Sequence, residues 1–421
     1  LDVAVAAAHI LVENSNERPR AIVGQDSRAS GEFLEAAVVA GLTSAGVDVY
    51  RVGIVPTPAV AYLVASTGAD LGVMISASHN PMPDNGIKLF QRGGEKLADD
   101  VEALVEARIG EPWQRPTGAA VGRVISDDQL VNKYIEHLLS TIDVSLSGLK
   151  VVVDCANGAS SFTAPVALSR AGAEVIAIAN TPDGWNINDG VGSTHLDFLR
   201  NAVLKNGANV GIAHDGDADR CLAIDATGAE IDGDVIMTIL AKGFKAQGKL
   251  KANTIVGTVM SNLGFMHAMA ESGIEVVTTA VGDRYVLEAM LKSDFNLGGE
   301  QSGHVIMRDH ANTGDGLLTA LQLLAEVKRS GQTLQELSRV MVRFPQVLIN
   351  VKNVAKERLA TSAAIADAVK AAEAELGSSG RVLLRASGTE PLVRVMVEAQ
   401  SDAVAQDVAT KLARVVETEL K

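Results

Sequence analysis

The sequence is poor in cysteine and in positive charge. Its only cysteines, Cys155 and Cys221, stand in apolar surroundings, which excludes a disulfide-stabilised scaffold and fits a reducing cytoplasm. The formal net charge of −14 excludes a sequence-independent grip on nucleic acid, since that grip depends on clustered lysine and arginine. We therefore expect a cytoplasmic protein without a nucleic-acid partner, which binds any phosphate through local arginines and backbone N–H groups.

The sequence also lacks a long apolar run at its start. Residues 1–12 are apolar but are interrupted by Asp2 and His9, and they are too short to span a bilayer. They also lack the basic beginning of a signal peptide. We expect an amphipathic helix here and no membrane partner. Because the chain does not begin with methionine, we expect its natural N-terminus to lie upstream.

Short β-type runs alternate with helical patterns over most of the chain. With 421 residues, 47% of them hydrophobic, the chain is long enough for two to four domains. Strands are predicted at residues 21–24, 47–52 and 71–75, and a helix over residues 30–45 with Ser30 as its N-cap. Such alternation favours parallel or mixed sheets covered by helices.

The alternation predicts an α/β protein built from four parts. The same pattern recurs twice more, and the last part has one long helix, two β runs and a closing helix. We predict three similar α/β domains with mixed sheets, followed by a smaller C-terminal α+β domain. The predicted domains are residues 1–126, 127–231, 232–345 and 346–421.

Ser78 lies where a predicted buried strand ends. The apolar run 71–75 turns polar at once, and the Asn-Pro pair at 80–81 prevents the strand from continuing. Loops at the carboxyl ends of strands commonly carry the chemistry of α/β proteins. A nucleophilic serine needs a base, a cation or a metal, and His79, Lys88 on the same loop and distant carboxylates are candidates. An ordinary surface loop rich in Ser, Asn and Pro is the alternative.

Asp215, Asp217 and Asp219 occupy every second position after another strand. An extended segment places three such carboxylates on one side, where they repel each other unless a cation joins them. Ligation by oxygen alone suits a hard ion such as Mg²⁺. An EF-hand is excluded, because Arg220 replaces the glycine at its sixth position and Ala226 the glutamate at its twelfth. A solvated acidic turn remains the alternative.

Two later segments carry polar groups suited to a sugar phosphate. Glu300 and Ser302 alternate, so a carboxylate and a hydroxyl can face the vicinal hydroxyls of one sugar. A tight β turn explains the same pattern. Residues 385–394 bring together two arginines, two hydroxyl residues and a glycine-bearing turn, which suit a phosphate. A hairpin loop with arginines at its rim is the alternative there.

Four motifs spread over the chain resemble those of the α-D-phosphohexomutases. They are Ser-Ala-Ser-His-Asn-Pro at 76–81, Asp-Gly-Asp-Ala-Asp-Arg at 215–220, Gly-Glu-Gln-Ser-Gly-His at 299–304 and Arg-Ala-Ser-Gly-Thr-Glu-Pro at 385–391. The resemblance implies four domains around a central cleft, each contributing one loop. Gln301 and Gly388 resemble the branch of that family that acts on glucosamine phosphates.

The resemblance implies a phosphoserine mechanism. Ser78, modified to phosphoserine, exchanges its phosphoryl group with a hexosamine monophosphate through a 1,6-bisphosphate. Glucosamine 6-phosphate and glucosamine 1-phosphate would thus be interconverted to supply UDP-N-acetylglucosamine synthesis. A hexosamine or glucose 1,6-bisphosphate is the implied activator, and a monomer or homodimer the expected assembly.

The resemblance also implies a role for each site residue. Asp215, Asp217 and Asp219 would hold one Mg²⁺ together with the Ser78 phosphate, and Arg220 would help to hold that phosphate. Lys88 would act as general base and His79 would support Ser78, whereas His195 and His214 are interpreted as structural. The substrate contacts implied are Glu300, Ser302, His304, Arg385, Ser387, Gly388, Thr389 and Arg394.

Three other functions remain open. A broader phosphoglucomutase/phosphomannomutase would carry the same motifs. A phosphotransferase with an aspartyl nucleophile typically has Thr or Val at the position that Asp219 occupies. A non-catalytic protein that binds sugar phosphates would never exchange phosphate at Ser78. The family's glycine-rich N-terminal segment with its arginine has no counterpart here. We therefore expect poor turnover unless a residue such as Arg28 replaces it.

Overall fold

The computed structural model describes residues 1–12, 18–387 and 390–421. Its contacts divide the chain into two compact units. The first comprises Leu1–Met260 with Ile274–Val340, and the second Ser261–Gly273 with Met341–Lys421. Three sheets lie in the first unit and one in the second. Among the helices of these described residues, none has both the length and the apolar composition needed to cross a bilayer.

The first sheet forms from short runs rich in branched apolar residues. Its strands are β1 (Arg20–Gln25), β2 (Asp48–Ile54), β3 (Leu71–Ile75), β4 (Ile87–Gln91) and β5 (Val124–Ser126). The helices around it are α1 (Asp2–Leu11), α2 (Ser30–Ser44), α3 (Thr57–Thr67) and α4 (Asp99–Ala107). The strand order is β4-β3-β1-β2-β5, and only β4 is antiparallel to its neighbour. Val23, Leu42 and Val73 are fully or almost fully buried in one core cluster.

The second sheet repeats this plan. Its strands are β6 (Lys150–Asp154), β7 (Glu174–Ile178), β8 (Val210–Ala213), β9 (Leu222–Asp225) and β10 (Glu230–Ile231). Its helices are α5 (Leu130–Ser140), α6 (Ser160–Arg170) and α7 (Asp197–Asn206). The order is β10-β9-β8-β6-β7, in which β6 is parallel to both neighbours and β9 is antiparallel to both of its own.

The third sheet is smaller. Its strands are β11 (Thr254–Thr258), β12 (Glu275–Thr279), β13 (Leu297–Gly299) and β14 (Val305–Met307), in the order β12-β11-β13-β14. The helices of this part of the chain are α8 (Gly233–Ala246), α9 (Leu263–Glu271), α10 (Asp283–Ser293), α11 (Gly316–Ser330) and α12 (Leu334–Ser338). In all three sheets the first strand lies between the second and third, and an antiparallel fourth strand borders the third. The prediction of three similar mixed sheets is therefore confirmed.

The second compact unit contains an antiparallel sheet, helix α9 and two further helices. Its elements are β15 (Gln346–Lys352), α13 (Ala363–Leu376), β16 (Arg381–Ala386), β17 (Leu392–Glu398) and α14 (Asp402–Leu420), with strand order β15-β17-β16. The buried Glu398 carboxylate accepts hydrogen bonds from Asn262 Nδ2 (3.2 Å), Leu263 N (2.9 Å) and Arg381 Nε (3.0 Å). Within this unit, these bonds hold the start of α9 against β16 and β17.

Two local predictions are wrong. Lys88 does not lie on the Ser78 loop but on β4, opposite Met74 of β3, because residues 87–91 add an edge strand after the turn. Ser30 is not the N-cap of α2, since Ala29 occupies that position and Ser30 Oγ accepts a hydrogen bond from Asn85 Nδ2 (2.8 Å). The four predicted domain boundaries stay a prediction.

Candidate active site

Three of the predicted loops occupy the same place in the three similar sheets. Residues 76–86, 214–221 and 300–304 each connect the third strand of a sheet to its antiparallel fourth strand. The third strands are parallel to their central neighbours, so each loop leaves a sheet at its carboxyl edge. That edge is where open α/β sheets place their ligands.

The structure brings the Ser78 loop against the aspartate loop. Ser78 Oγ donates a hydrogen bond to Asp215 Oδ2 at 2.6 Å, and the exposed His79 places Nδ1 3.5 Å from the same Oγ. Ser78 adopts a φ of 51°, a left-handed conformation that is strained for serine. Its N–H donates to Ser76 Oγ at 2.9 Å, which helps to hold that conformation.

The three aspartates converge on one buried point. One carboxylate oxygen from each of Asp215, Asp217 and Asp219 lies within 4.8 Å of the others, and all three residues are buried. Ala218 has a φ of 57° between them. Among the described residues, Asp217 Oδ1 and Asp219 Oδ1 find no hydrogen-bond partner. Buried carboxylate oxygens without donors fit a hard divalent cation, so this set can hold a metal.

Burial and mutual repulsion shift the acidity of this cluster. Burial raises the pKa of Asp215 to about 7, and the neighbouring Asp219 and Asp217 carboxylates add to the rise. The Asp215 carboxylate is therefore the one in the cluster that a proton or a cation must most stabilise.

Lys88 neutralises part of the cluster. Its Nζ donates to Asp217 Oδ2 at 2.5 Å and lies 3.8 Å from Asp219 Oδ2. Burial would lower the pKa of Lys88, but the Asp217 and Asp219 carboxylates outweigh it and raise that pKa above its ordinary value. Lys88 is consequently an ammonium ion in this arrangement.

Arg220 and His304 lie at the edge of the cluster. Arg220 donates its backbone N–H to Asp215 Oδ1 (3.3 Å), and its Nε lies 3.9 Å from Asp219 Oδ1. His304 is buried with Nδ1 3.5 Å from Asp219 Oδ2, and its Nε2 accepts a hydrogen bond from Gly314 N at 3.1 Å. Both ring nitrogens of His304 therefore face protein groups.

The loop 300–304 is a tight turn. Gly303 N donates to Glu300 O at 3.0 Å, and Glu300 N donates to His304 O at 3.0 Å. Glu300 Oε1 accepts from Gly282 N at 2.9 Å. Ser302 Oγ is buried without a hydrogen-bond partner among the described residues, so its hydrogen-bonding capacity is unmet in this arrangement.

The arginines of the second compact unit form a like-charged pair. Arg385 on β16 lies directly opposite Arg394 on β17 in the antiparallel ladder. Two guanidinium groups so placed destabilise the sheet unless an anion joins them. Ser387 is buried nearby, and its Oγ accepts from Glu390 N at 3.3 Å. The predicted contacts Gly388 and Thr389 lie outside the described residues.

The structure adds contacts that the sequence did not predict, including those of Arg28, which the sequence suggests only as a replacement for the family's N-terminal arginine. Arg28 and Asn188 bind the backbone of the Ser78 loop, and Thr57 Oγ1 donates to Asp217 Oδ2 at 2.5 Å. Lys356 Nζ donates to the carbonyl oxygens of Ser387 (2.6 Å) and Glu390 (3.1 Å). Arg28 follows β1 just as Ser78 follows β3, so the same strand-end signal was available for it.

The predicted structural histidines differ in their surroundings. His214 is buried, and its Nδ1–H donates to the Arg220 carbonyl oxygen at 2.9 Å, closing the aspartate loop on itself. Burial lowers the pKa of His214 to about 4, so it is neutral near pH 7. His195 is exposed, with Nδ1 3.1 Å from Thr194 Oγ1.

Comparison with protein families gives four matches along the chain. Residues 1–115 match the phosphoglucomutase/phosphomannomutase alpha/beta/alpha domain I, residues 132–228 its domain II and residues 232–344 its domain III. Residues 348–415 match the C-terminal domain of the same family.

Individual proteins agree with these matches. The phosphoglucosamine mutase of Streptomyces griseus is 60% identical over 428 residues, covering 100% of this chain and 95% of that protein. A phosphoglucomutase/phosphomannomutase family protein from Burkholderia thailandensis shares the fold, with a TM-score of 0.81 at 23% identity over 99% of this chain and 93% of that one. N-acetylphosphoglucosamine mutase of Aspergillus fumigatus, solved with GlcNAc-6P and magnesium, has a TM-score of 0.69 at 20% identity over 87% of this chain and 93% of its own.

Proposed function

The chain belongs to the phosphoglucosamine mutase family, and from that premise we propose that it interconverts glucosamine 6-phosphate and glucosamine 1-phosphate. The observation that carries the proposal is the hydrogen bond of 2.6 Å from Ser78 Oγ to Asp215, beside two more buried carboxylates. It places a hydroxyl nucleophile against a group of oxygens suited to a metal. The product would supply UDP-N-acetylglucosamine synthesis.

Phosphorylated Ser78 would be the donor in the first half of the reaction. The bond between Ser78 Oγ and phosphorus breaks while a hydroxyl of the sugar monophosphate forms the new bond to phosphorus, giving a 1,6-bisphosphate. The bisphosphate then turns over, and its other phosphoryl group returns to Ser78 Oγ. Each half transfers one phosphoryl group and one proton, so the enzyme is regenerated.

We assign Asp215, Asp217, Asp219 and the Ser78 phosphate as the residues that would hold one Mg²⁺. The unpartnered oxygens of Asp217 and Asp219 support this set, and the A. fumigatus enzyme was solved with magnesium. When bound, the ion supplies neutralisation of charge at the transferring phosphoryl group. Arg220 faces the same carboxylates and would add a second positive charge.

Lys88 is proposed as the base that takes and returns the hydroxyl proton. To act, Lys88 must first lose the proton that Asp217 and Asp219 hold on it. The carboxylates that raise its pKa are the same ones assigned to the metal. A cation bound to these carboxylates would weaken their attraction for the ammonium group and lower the pKa of Lys88. The same site could then hold Lys88 protonated without the cation and let it release a proton with the cation bound. His79 would support Ser78 from the solvent side.

We propose that two loops bind the substrate. Glu300 and Ser302 would contact sugar hydroxyls that exchange places when the intermediate turns over, with His304 behind them. The opposed pair Arg385 and Arg394 would bind a phosphate group, together with Ser387, Gly388 and Thr389. An anion between the two guanidiniums removes their repulsion, which supports this assignment.

The experiment compares turnover on glucosamine, glucose and mannose 6-phosphates with Mg²⁺ and a 1,6-bisphosphate activator present. Intact mass with peptide mapping follows the phosphate on Ser78 during turnover. We expect glucosamine 6-phosphate to be preferred and labelled phosphate to pass between Ser78 and sugar. Preference for glucose or mannose phosphate would instead indicate a phosphoglucomutase/phosphomannomutase. Absence of exchange at Ser78 would contradict the phosphoserine mechanism.

A further inference from the structure

The polar loop at residues 180–194, between β7 and α7, reaches from the second sheet to the first. Gly184 O accepts a hydrogen bond from Ala29 N at 3.0 Å. Asn188 Nδ2 donates to two carbonyl oxygens of the Ser78 loop, those of Ser78 (2.9 Å) and Asn80 (3.0 Å). This long loop had no place in the functional interpretation of the sequence, yet its buried asparagine contacts the nucleophile's own backbone.

Arg28 donates to the same two carbonyl oxygens. Its Nη2 lies 2.6 Å from Asn80 O and 3.2 Å from Ser78 O, while Nη1 pairs with Asp26. Arg28 is only 2% exposed, so its guanidinium makes its contacts within the protein. Each carbonyl oxygen therefore receives two donors, one from the segment after β1 and one from the loop between β7 and α7.

The 180–194 loop is in turn fixed to the strand ends that carry the aspartates. Asn188 N donates to Ala156 O at 2.9 Å, and Gly192 N donates to the buried Asp154 carboxylate at 2.9 Å. Ser193 N donates to the carbonyl oxygen of His214, next to Asp215, at 2.9 Å. One loop thus sets the position of the Ser78 backbone relative to Asp215.

We propose that Asn188 is a positioning residue that, with Arg28, holds Ser78 in its left-handed conformation and keeps its Oγ aimed at Asp215. The inference rests on the proposed role of Ser78 as phosphoryl carrier. Two donors on each carbonyl oxygen offset the strain of a serine at φ 51°. Transfer in both directions requires the Ser78 oxygen to stay in line with the phosphoryl group. A fixed Ser78 backbone would therefore favour transfer.

The test uses two substitutions at Asn188 that suit its φ of 59°, a value favourable to glycine, asparagine and aspartate. Asn188→Gly removes both donors, and Asn188→Asp keeps the shape but faces a carboxylate toward two carbonyl oxygens. Asn206→Asp is the matched control, because the exposed Asn206 Nδ2 donates to a backbone carbonyl of its own helix α7 at 2.8 Å.

We expect both Asn188 variants to fold, to keep KM and Mg²⁺ affinity within about threefold, and to lose roughly 10²-fold in kcat. The single-turnover rate of transfer from phospho-Ser78 to sugar should fall equally, and the control should match the parent protein. Unchanged transfer in both Asn188 variants would overturn the inference. Failure of both to fold would also overturn it, by giving Asn188 a structural role alone. If the parent protein exchanges no phosphate at Ser78, the proposed function fails instead.

Discussion

At Ser78 a hydroxyl group, three carboxylates and an ammonium group share one small volume. The Ser78 hydroxyl donates to Asp215, and Lys88 donates to Asp217 and faces Asp219. None of these side chains carries out phosphoryl transfer by its own charge alone, because the transferring group is itself an anion. The three carboxylates outnumber the one ammonium group, so the cluster favours a bound cation, and a phosphate on Ser78 would increase that demand.

Replacing Ser78 tests the covalent route directly. Ser78→Ala should lose on the order of 10³-fold or more in turnover, because the acceptor oxygen is removed. The measurement is turnover together with intact mass of the protein after incubation with bisphosphate. Near-normal turnover with labelled phosphate on an aspartate would favour the aspartyl mechanism.

Lys88→Met removes both the positive charge and the proposed base, and measurements of stability and of turnover report on the two roles separately. In metal-free protein the variant should be less thermally stable than the parent, because Asp217 loses a cation at 2.5 Å. Added Mg²⁺ should then raise the melting temperature of the variant more than that of the parent, while turnover is lost in both conditions. Equal Mg²⁺-induced shifts in the two proteins would show that Lys88 does not act as the counter-ion of the cluster.

At the scale of elements, local patterns predict strands that are buried and rich in branched residues. The bounds of β3 follow from the sequence to the residue. Strand β4 was missed because it follows a turn-forming Asp-Asn-Gly segment and is only partly buried, and Lys88 was misplaced with it. Strand β15 was missed for a similar reason, since most of its residues are partly or fully exposed.

The site was predictable where one loop carries its own chemistry. The aspartate triad lies within a single run of five residues, and its convergence needs only local geometry. Asn188 contacts Ser78 across 110 positions of chain, and no local pattern marks that contact. The fold alone brings such pairs together, so single-sequence reasoning cannot find them.

Asp154, at the end of β6, gives the loop 180–194 a dependence on pH. Burial raises its pKa to about 6, although the N–H groups of Gly192 and Ala156 act against the rise. The folded pKa lies above the ordinary value of 3.8, so the native state binds more protons between about pH 4 and pH 6. The free energy of unfolding contributed by Asp154 should therefore fall as pH rises through this window.

Chemical unfolding at several pH values checks this expectation. The slope of stability against pH between 4 and 6 should be less negative in Asp154→Asn than in the parent, because the amide does not titrate. The variant should be less stable overall, since an amide cannot accept both N–H groups in the same way. Parallel curves for the two proteins would show that Asp154 does not titrate in this window.

At the scale of the whole molecule, the chain forms two compact units, although it matches the family in four separate domains. Glu398 is one residue that joins residues 261–273 to the rest of the C-terminal unit, since its buried carboxylate accepts from the start of α9 and from Arg381. Asn262 also exchanges hydrogen bonds with the Phe344 backbone, and Arg381 donates to Ser261 O at 2.7 Å, so several contacts hold this segment in the C-terminal unit.

Glu398→Gln should destabilise the second compact unit by about 3 kcal/mol, because a buried ion pair loses one partner. Hydrogen exchange should show the loss of protection in Ser261–Gly273 and Met341–Lys421, with Mg²⁺ binding by the other unit unchanged. Asp407→Asn, which breaks an exposed ion pair with Lys411 on α14, is the control and should change stability by less than about 1 kcal/mol. Uniform loss of protection across the whole chain would contradict the prediction.

The equal placement of the loops 76–86, 214–221 and 300–304 has a consequence for how such a site can arise. Three copies of one ancestral unit, joined by duplication, would present the same hairpin connection three times. Each copy could then diverge at that one connection, toward the proposed nucleophile, metal ligands or sugar contacts, while its strand order stayed intact. A new chemistry would then require only a change in the short loop that connects two neighbouring strands, while the sheet itself stays the same.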